Sequence, residues 1–231
     1  MEKMLVCKNL KKKYLNKTAV EDITLQLEQG RIYALLGPNG SGKTTFMKMV
    51  AGLVKPNQGE LLYKGQPIGI ASKKEVAYMS TESYFYSFMT VEDVGRYYAD
   101  FFEDFDLEKY QQMVHEMELE LNDKVNKLSS GMVAKVKLAV TLSRKAKLYL
   151  LDEPLNGIDL IAREKVISTI LSVATEDNTI VVSSHLVDEL ETVVDGVIFI
   201  KSGKNVLDGD AEAIREEQGK SIVDIYKEIY G

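Results

Sequence analysis

The sequence predicts an α/β fold in which a core of buried strands is interrupted by an inserted helical subdomain. Three observations predict it. Residues 31–36 and 148–151 are short, nearly continuous apolar runs, the pattern of central strands covered on both faces. Residues 22–28 alternate instead, with Ile23, Leu25 and Leu27 on one face and Thr24 and Gln26 on the other. Strand patterning vanishes between about 84 and 147, where apolar and aromatic residues recur at helical spacing.

The elements follow in order. Residues 4–10 open the chain as a short apolar strand and 22–28 form the second. Gly30 punctuates, and the buried run 31–36 leads into a glycine-rich loop. Residues 43–53 are predicted helical, with Phe46, Val50 and Leu53 at helical spacing and Gly52 near the end, and 59–64 return to strand. Thr90-Val91-Glu92-Asp93 resembles a capping box, and Val94, Tyr97, Tyr98, Phe101 and Phe102 give the helix behind it an aromatic face. Leu107, Tyr110, Val114 and Met117 mark a second helix, and Met132, Val136, Val140 and Ser143 a third. The core resumes with the strand at 148–151, a helix at 159–174, a strand at 179–184 and a hairpin of 197–201 with 205–207 around Ser202-Gly203. Two short helices finish the chain, the last capped by Ser221 with Asp224 three residues on.

Composition narrows the function. A chain of 231 residues makes one large domain, or a core with a subdomain. Apolar residues at 45% and charged residues at 28% exclude disorder. A net charge of −6 argues against a nucleic-acid partner. Cys7 is the one cysteine, which excludes an internal disulfide and a Cys-based zinc site; with no signal peptide, a reducing cytosol is expected. No apolar run approaches the roughly 18–20 residues that span a bilayer.

Two segments carry chemistry. Gly37-Pro38-Asn39-Gly40-Ser41-Gly42-Lys43-Thr44 fits G-x-x-x-x-G-K-[ST] at every fixed position. Its glycines let successive backbone N–H groups curl around phosphate oxygens, and the helix starting near Lys43 adds its positive end. Lys43 places a compact charge on the β- and γ-phosphates, and the Thr44 hydroxyl suits Mg²⁺. A chance glycine turn would not be preceded by a buried strand and followed by a helix. Asp152 and Glu153 end the strand at 148–151, where two carboxylates are costly unless something needs them. Asp152 can hold magnesium through a water, and Glu153 can orient or deprotonate an attacking water. A solvated acidic turn before Pro154 is the plain alternative, and the complete phosphate loop weighs against it.

Between these two lies Leu128-Ser129-Ser130-Gly131-Met132, similar to LSGGQ, the signature of the nucleotide-binding subunits of ATP-binding-cassette (ABC) transporters. The chain resembles that family over nearly its whole length. The resemblance implies an α/β P-loop NTPase core with an N-terminal antiparallel β subdomain and an inserted α-helical subdomain. It implies a single ABC ATPase domain over 1–231, with 1–83 and 147–231 as core and β subdomain and 84–146 as the helical signature subdomain. It further implies ATP and Mg²⁺, with ATP held between the phosphate loop of one subunit and the signature of another. Asn39, Gly40, Ser41, Gly42, Lys43, Thr44 and Thr45 then bind nucleotide on one side, and Ser129, Ser130 and Gly131 on the other. Ser130 replaces a glycine and Met132 a glutamine, while the signature serine and last glycine remain.

Other positions match residue by residue. Tyr14 stands where the family stacks an aromatic ring on adenine, and Val20 where an aliphatic residue flanks it. Asp159, in Leu155-Asn156-Gly157-Ile158-Asp159, matches the aspartate that helps couple two sites, and is also a plausible helix N-cap. His185, after Ser183-Ser184, matches the histidine that contacts the γ-phosphate and positions water with Glu153. Catalysis is thereby assigned to Glu153, His185 and Lys43, and metal binding to Thr44 and Asp152. Where the family usually carries a glutamine, this chain has Tyr78-Met79-Ser80-Thr81-Glu82, with Thr81 at the glutamine position.

The stretch 84–106 resembles bacterial exporter ATPases of drugs, peptides or antibiotics, in which it helps form a groove for a membrane subunit. The expected partners are an integral-membrane transporter subunit and a second nucleotide-binding subunit, identical or different. The expected location is the cytoplasmic face of the membrane. A soluble ABC-type ATPase and a catalytically degenerate partner cassette are the alternatives.

Overall fold

The computed structural model describes residues 2–82 and 84–231; the segment boundary drawn at 83 falls outside the described residues. The strands are β1 (Lys3–Tyr14), β2 (Lys17–Glu28), β3 (Ile32–Leu36), β4 (Gln58–Tyr63), β5 (Gln66–Pro67), β6 (Val76–Met79), β7 (Leu148–Asp152), β8 (Thr179–Ser184), β9 (Gly196–Lys201) and β10 (Lys204–Asp210). The helices are α1 (Lys43–Val50), α2 (Ile70–Glu75), α3 (Val91–Phe101), α4 (Leu107–Glu116), α5 (Ser130–Leu142), α6 (Leu160–Ser172), α7 (Ala211–Gln218) and α8 (Ile222–Tyr230).

One curled sheet carries all ten strands in the order β5-β4-β1-β2-β10-β9-β3-β8-β7-β6. From β9 to β6 neighbours run parallel, and β1, β2, β4 and β5 pair antiparallel. β10 joins the two regions. It pairs antiparallel with β9 and meets β2 at a single parallel pair, Lys204 with Asp22. The Asn205 side chain extends that thin junction, accepting from Thr24 N and donating to Thr24 O, both at 2.9 Å.

The continuous apolar run of β3 is explained by its place. Ala34 and Leu36 enter one apolar core with the helices α3–α6, while Tyr33 and Leu35 enter a second core with β1, β2 and α1. Both faces are covered, so alternation is lost. The β9–β10 hairpin turns at Ser202 and Gly203, whose φ values of 50° and 78° are those of a tight hairpin turn.

Several boundaries differ from expectation. β1 and β2 each run 12 residues, well past their apolar signals, because β1 and β2 keep pairing through Lys12, Lys13 and Tyr14. α1 stops at Val50, short of Leu53, and Gly52 turns the chain at φ 69°. α2 and β5 are too short to leave a periodic signal. The capping box at Thr90 forms in both directions: Thr90 Oγ accepts from Asp93 N and Asp93 accepts from Thr90 N.

Candidate nucleotide site

The phosphate loop leaves β3 at Leu36 and enters α1 at Lys43. Gly37, Gly40 and Gly42 all have positive φ. A Cβ at Gly42 would sit 2.5 Å from Ala19 O, so only glycine fits there. α1 differs from the six helices α3 to α8. α3 to α8 are each capped by a Thr, Asp or Ser side chain, whereas Gly42 offers α1 none. The first N–H groups of α1 are therefore left for an external acceptor. The buried Ser41 Oγ also has no hydrogen-bond partner. Uncapped donors and an orphan hydroxyl fit a bound phosphate group.

Lys43, Glu153 and His185 converge from three separate elements. Lys43 is 5% exposed, and its ammonium donates to Gly37 O at 2.6 Å. It lies 3.1 Å from Glu153 Oε1, while Glu153 Oε2 is 2.8 Å from His185 Nδ1. Glu153 Oε1 makes the ion contact without a hydrogen bond, leaving an acceptor in place for a water. Glu153 is turned out of the strand by a φ of 51°, an uncommon backbone state for glutamate.

Behind it, Asp152 is fully buried. β7 and β8 pair in parallel so that Asp152 stands opposite Ser183. Ser183 Oγ donates to Asp152 Oδ1 at 2.7 Å and accepts from Glu153 N at 2.9 Å. The Tyr78 hydroxyl donates to Asp152 Oδ2 at 3.2 Å. Burial, with the Asp152 carboxylate beside it, pushes the Tyr78 phenol up and keeps it a donor. Among the described residues no three His, Cys, Asp or Glu side chains cluster as a metal cage. Mg²⁺ is a hard cation that needs only one or two protein oxygens, and the Thr44 hydroxyl and the Asp152 carboxylate are the candidates for it here.

The signature segment starts α5. Ser129 is its N-cap and accepts from Met132 N at 3.2 Å. Asp159 caps α6, accepting from Ala162 N at 3.0 Å. A Cβ on Gly131 would lie 2.5 Å from Gly157 O, so the start of α5 packs directly on the loop after β7. Thr81, Ser130, Lys137, Glu153 and Asn156 line one cavity of about 400 Å³. Asn39 and Gly40 are exposed at the loop tip, and Thr44 and Thr45 are half-buried on α1.

The adenine positions divide. Tyr14 is 42% exposed, with the Lys12 ammonium 5.1 Å from its ring centroid. Val20 is fully buried in the second core and offers a base no surface, which corrects the assignment. Alternation along β2 turns its neighbour Ala19 the other way, half-buried and with its carbonyl against Gly42. Ser183, Tyr78 and Lys137 are further site residues that the motifs did not reveal; the polar Ser183-Ser184 at the end of an apolar strand was the signal available.

A second, open groove of about 750 Å³ lies between core and helices, lined by Lys48, Tyr78, Glu82, Tyr97, Tyr98 and Arg144 among others. Tyr84, Tyr86 and Phe88 are exposed, and Phe85 packs on the main core. Among the described residues no helix is long and apolar enough to cross a membrane.

The ABC transporter family matches residues 20–156. A lantibiotic transport ATP-binding protein of Streptococcus pyogenes, SrtF, is 31% identical over 207 residues, covering 89% of this chain and 90% of that protein. The SkfA peptide export ATP-binding protein SkfE of Bacillus subtilis is 32% identical over 211 residues, 89% of this chain and 88% of its own. The solved ATP-binding subunit of an ABC transporter superposes with a TM-score of 0.84 at 25% identity, over 97% of this chain and 98% of that one. A dimeric ATP-binding cassette holding ADP and Pi after hydrolysis has a TM-score of 0.79 at 21% identity, over 90% of this chain and 99% of that one, a likeness of fold.

Proposed function

The chain belongs to the ABC transporter family, and on that premise we propose how its residues bind and hydrolyse ATP. It is an ATP-binding and ATP-hydrolysing subunit that powers a transporter. One observation carries the mechanism: Lys43, Glu153 and His185 meet at 3.1 and 2.8 Å at the mouth of the phosphate loop.

In this reading Gly37 to Thr45 hold the phosphates through backbone N–H groups, Ser41 and Lys43, and Tyr14 stacks on the base. Glu153 orients the attacking water and accepts its proton, and His185 holds Glu153 and contacts the γ-phosphate. Thr44 and, through a water, Asp152 would hold Mg²⁺, which would supply positive charge to the phosphate oxygens. Ser129, Ser130, Gly131 and Asp159 face the nucleotide of a second nucleotide-binding subunit. ATP then closes the pair, because it binds the closed pair better than the open one. We assign residues 84–146 to the helical signature subdomain and the remainder to the core and β subdomain. The exposed aromatics beside the 750 Å³ groove support docking of an integral-membrane subunit there, at the cytoplasmic face. The peptide and lantibiotic transport named for the two relatives supports peptide export as the work done.

Glu153→Gln tests the mechanism. It keeps the shape and removes the base, so ATP binding persists while steady-state hydrolysis falls about 10²–10⁴-fold. Size-exclusion chromatography with ATP should show a trapped dimer. Hydrolysis near the wild-type rate would remove Glu153 from the role of base.

A further inference from the structure

Lys137 sits on α5, about two helical turns beyond the signature serine. It is 6% exposed. Its ammonium donates to two backbone carbonyls of the segment after β6, Ser80 O at 2.8 Å and Thr81 O at 3.0 Å. An ammonium has three N–H groups, and among the described residues the third has no acceptor. The side chain lines the same cavity as Glu153.

The two carbonyls belong to a dividing wall. Thr81 lines the cavity that holds Glu153, while Ser80 and Glu82 line the aromatic groove on the other side. Glu82 is in turn paired with Lys48 of α1 at 2.9 Å. Shape alone does not call for a cation here, because an unbranched apolar side chain of the same length would fill the space. A buried charge with incomplete hydrogen bonding is expensive, and it stands where phosphate charge is to be handled.

We propose that Lys137 is a positioning residue for ATP hydrolysis, a cationic latch that ties the signature helix to the 80–82 wall and links the nucleotide cavity to the groove beyond it. The inference rests on the ATPase reading. It assigns Lys137 no bond making or breaking. It holds the wall by two hydrogen bonds, and its side chain lines the cavity shared with Glu153.

The test compares Lys137→Met, Lys137→Arg and wild type in ATP hydrolysis, with melting temperature as the control for folding. Lys137→Met should lower kcat about 10–100-fold, as small misplacements in an active site do, with KM for ATP changed less than about threefold. Lys137→Arg keeps the charge and can bond both carbonyls, so it should recover at least about a third of the turnover. Wild-type turnover in folded Lys137→Met overturns the latch. So does a loss that Lys137→Arg fails to recover although both variants melt as the wild type does. Should Lys137→Met not fold, Lys137→Gln replaces it under the same criteria. A wild-type chain that hydrolyses no ATP fails the ATPase reading and takes this inference with it, whereas an active wild type beside an equally active Lys137→Met fails the latch alone.

Discussion

Ser183 is a small side chain with two obligations. It satisfies a fully buried carboxylate oxygen of Asp152 and fixes the backbone N–H of Glu153, the residue turned to φ 51°. Ser183→Ala leaves both partners unsatisfied, which costs about 1–3 kcal/mol. A lowered melting temperature together with reduced ATP turnover is the expected result, read by calorimetry and a phosphate-release assay. A lowered melting temperature with full turnover would make Ser183 structural only. At this scale the phosphate-loop and strand-end residues were legible, because their spacing along the chain is itself the chemical requirement. Val20 was misassigned because only strand register decides which of two adjacent residues faces the loop. Ser183, Tyr78 and Lys137 were hidden because they act through neighbours far away in sequence.

Elements meet at glycines. Gly131 at the start of α5 touches the loop before α6, and the obstacle a side chain would meet is the backbone oxygen of Gly157 at 2.5 Å. Gly131→Ala must push the signature away from that loop, an overpacking that costs about 1–3 kcal/mol. ATP binding by the phosphate loop should persist, while hydrolysis and ATP-driven pairing fall. Nucleotide titration beside light scattering separates the two effects, and unchanged pairing would show that the contact is dispensable. The helices α3, α4 and α5 were visible in the spacing of apolar residues. The extra length of β1 and β2 was not, because the lysine-rich ends of these strands stay paired through backbone register and leave no apolar signal.

Across the whole molecule, several carboxylates are held below their ordinary values by specific donors. The Lys64 ammonium and the Tyr63 hydroxyl act on Glu75, the Ala213 N–H and Arg31 on Asp210, Thr90 on Asp93, and Ser221 with Lys227 on Asp224. A depressed pKa means that the unfolded chain binds more protons than the folded one. The stability these groups add is complete above the ordinary values, 4.5 for Glu75 and 3.8 for the aspartates, and is lost as pH falls below them. Melting temperature should therefore drop as pH is lowered from about 5 toward 3, and Glu75→Gln should shrink that drop. An equal drop in the variant would assign the acid sensitivity elsewhere. The sheet order was the least legible property of the fold, because no local pattern states that β3 pairs with β8 and β9.

That placement has a consequence for how the protein is made. β3 carries the phosphate loop, yet both of its neighbours, β8 and β9, are built near the other end of the chain. The Tyr230 hydroxyl that donates to Leu36 O comes 194 residues later. At ribosomal speeds of about 5–20 residues per second, on the order of 10–40 s separate the two. Until β8 and β9 follow, late in that interval, an apolar strand waits with bare edges, the condition that invites aggregation, and a chain halted before β8 carries the whole phosphate-binding sequence without the strands that flank it.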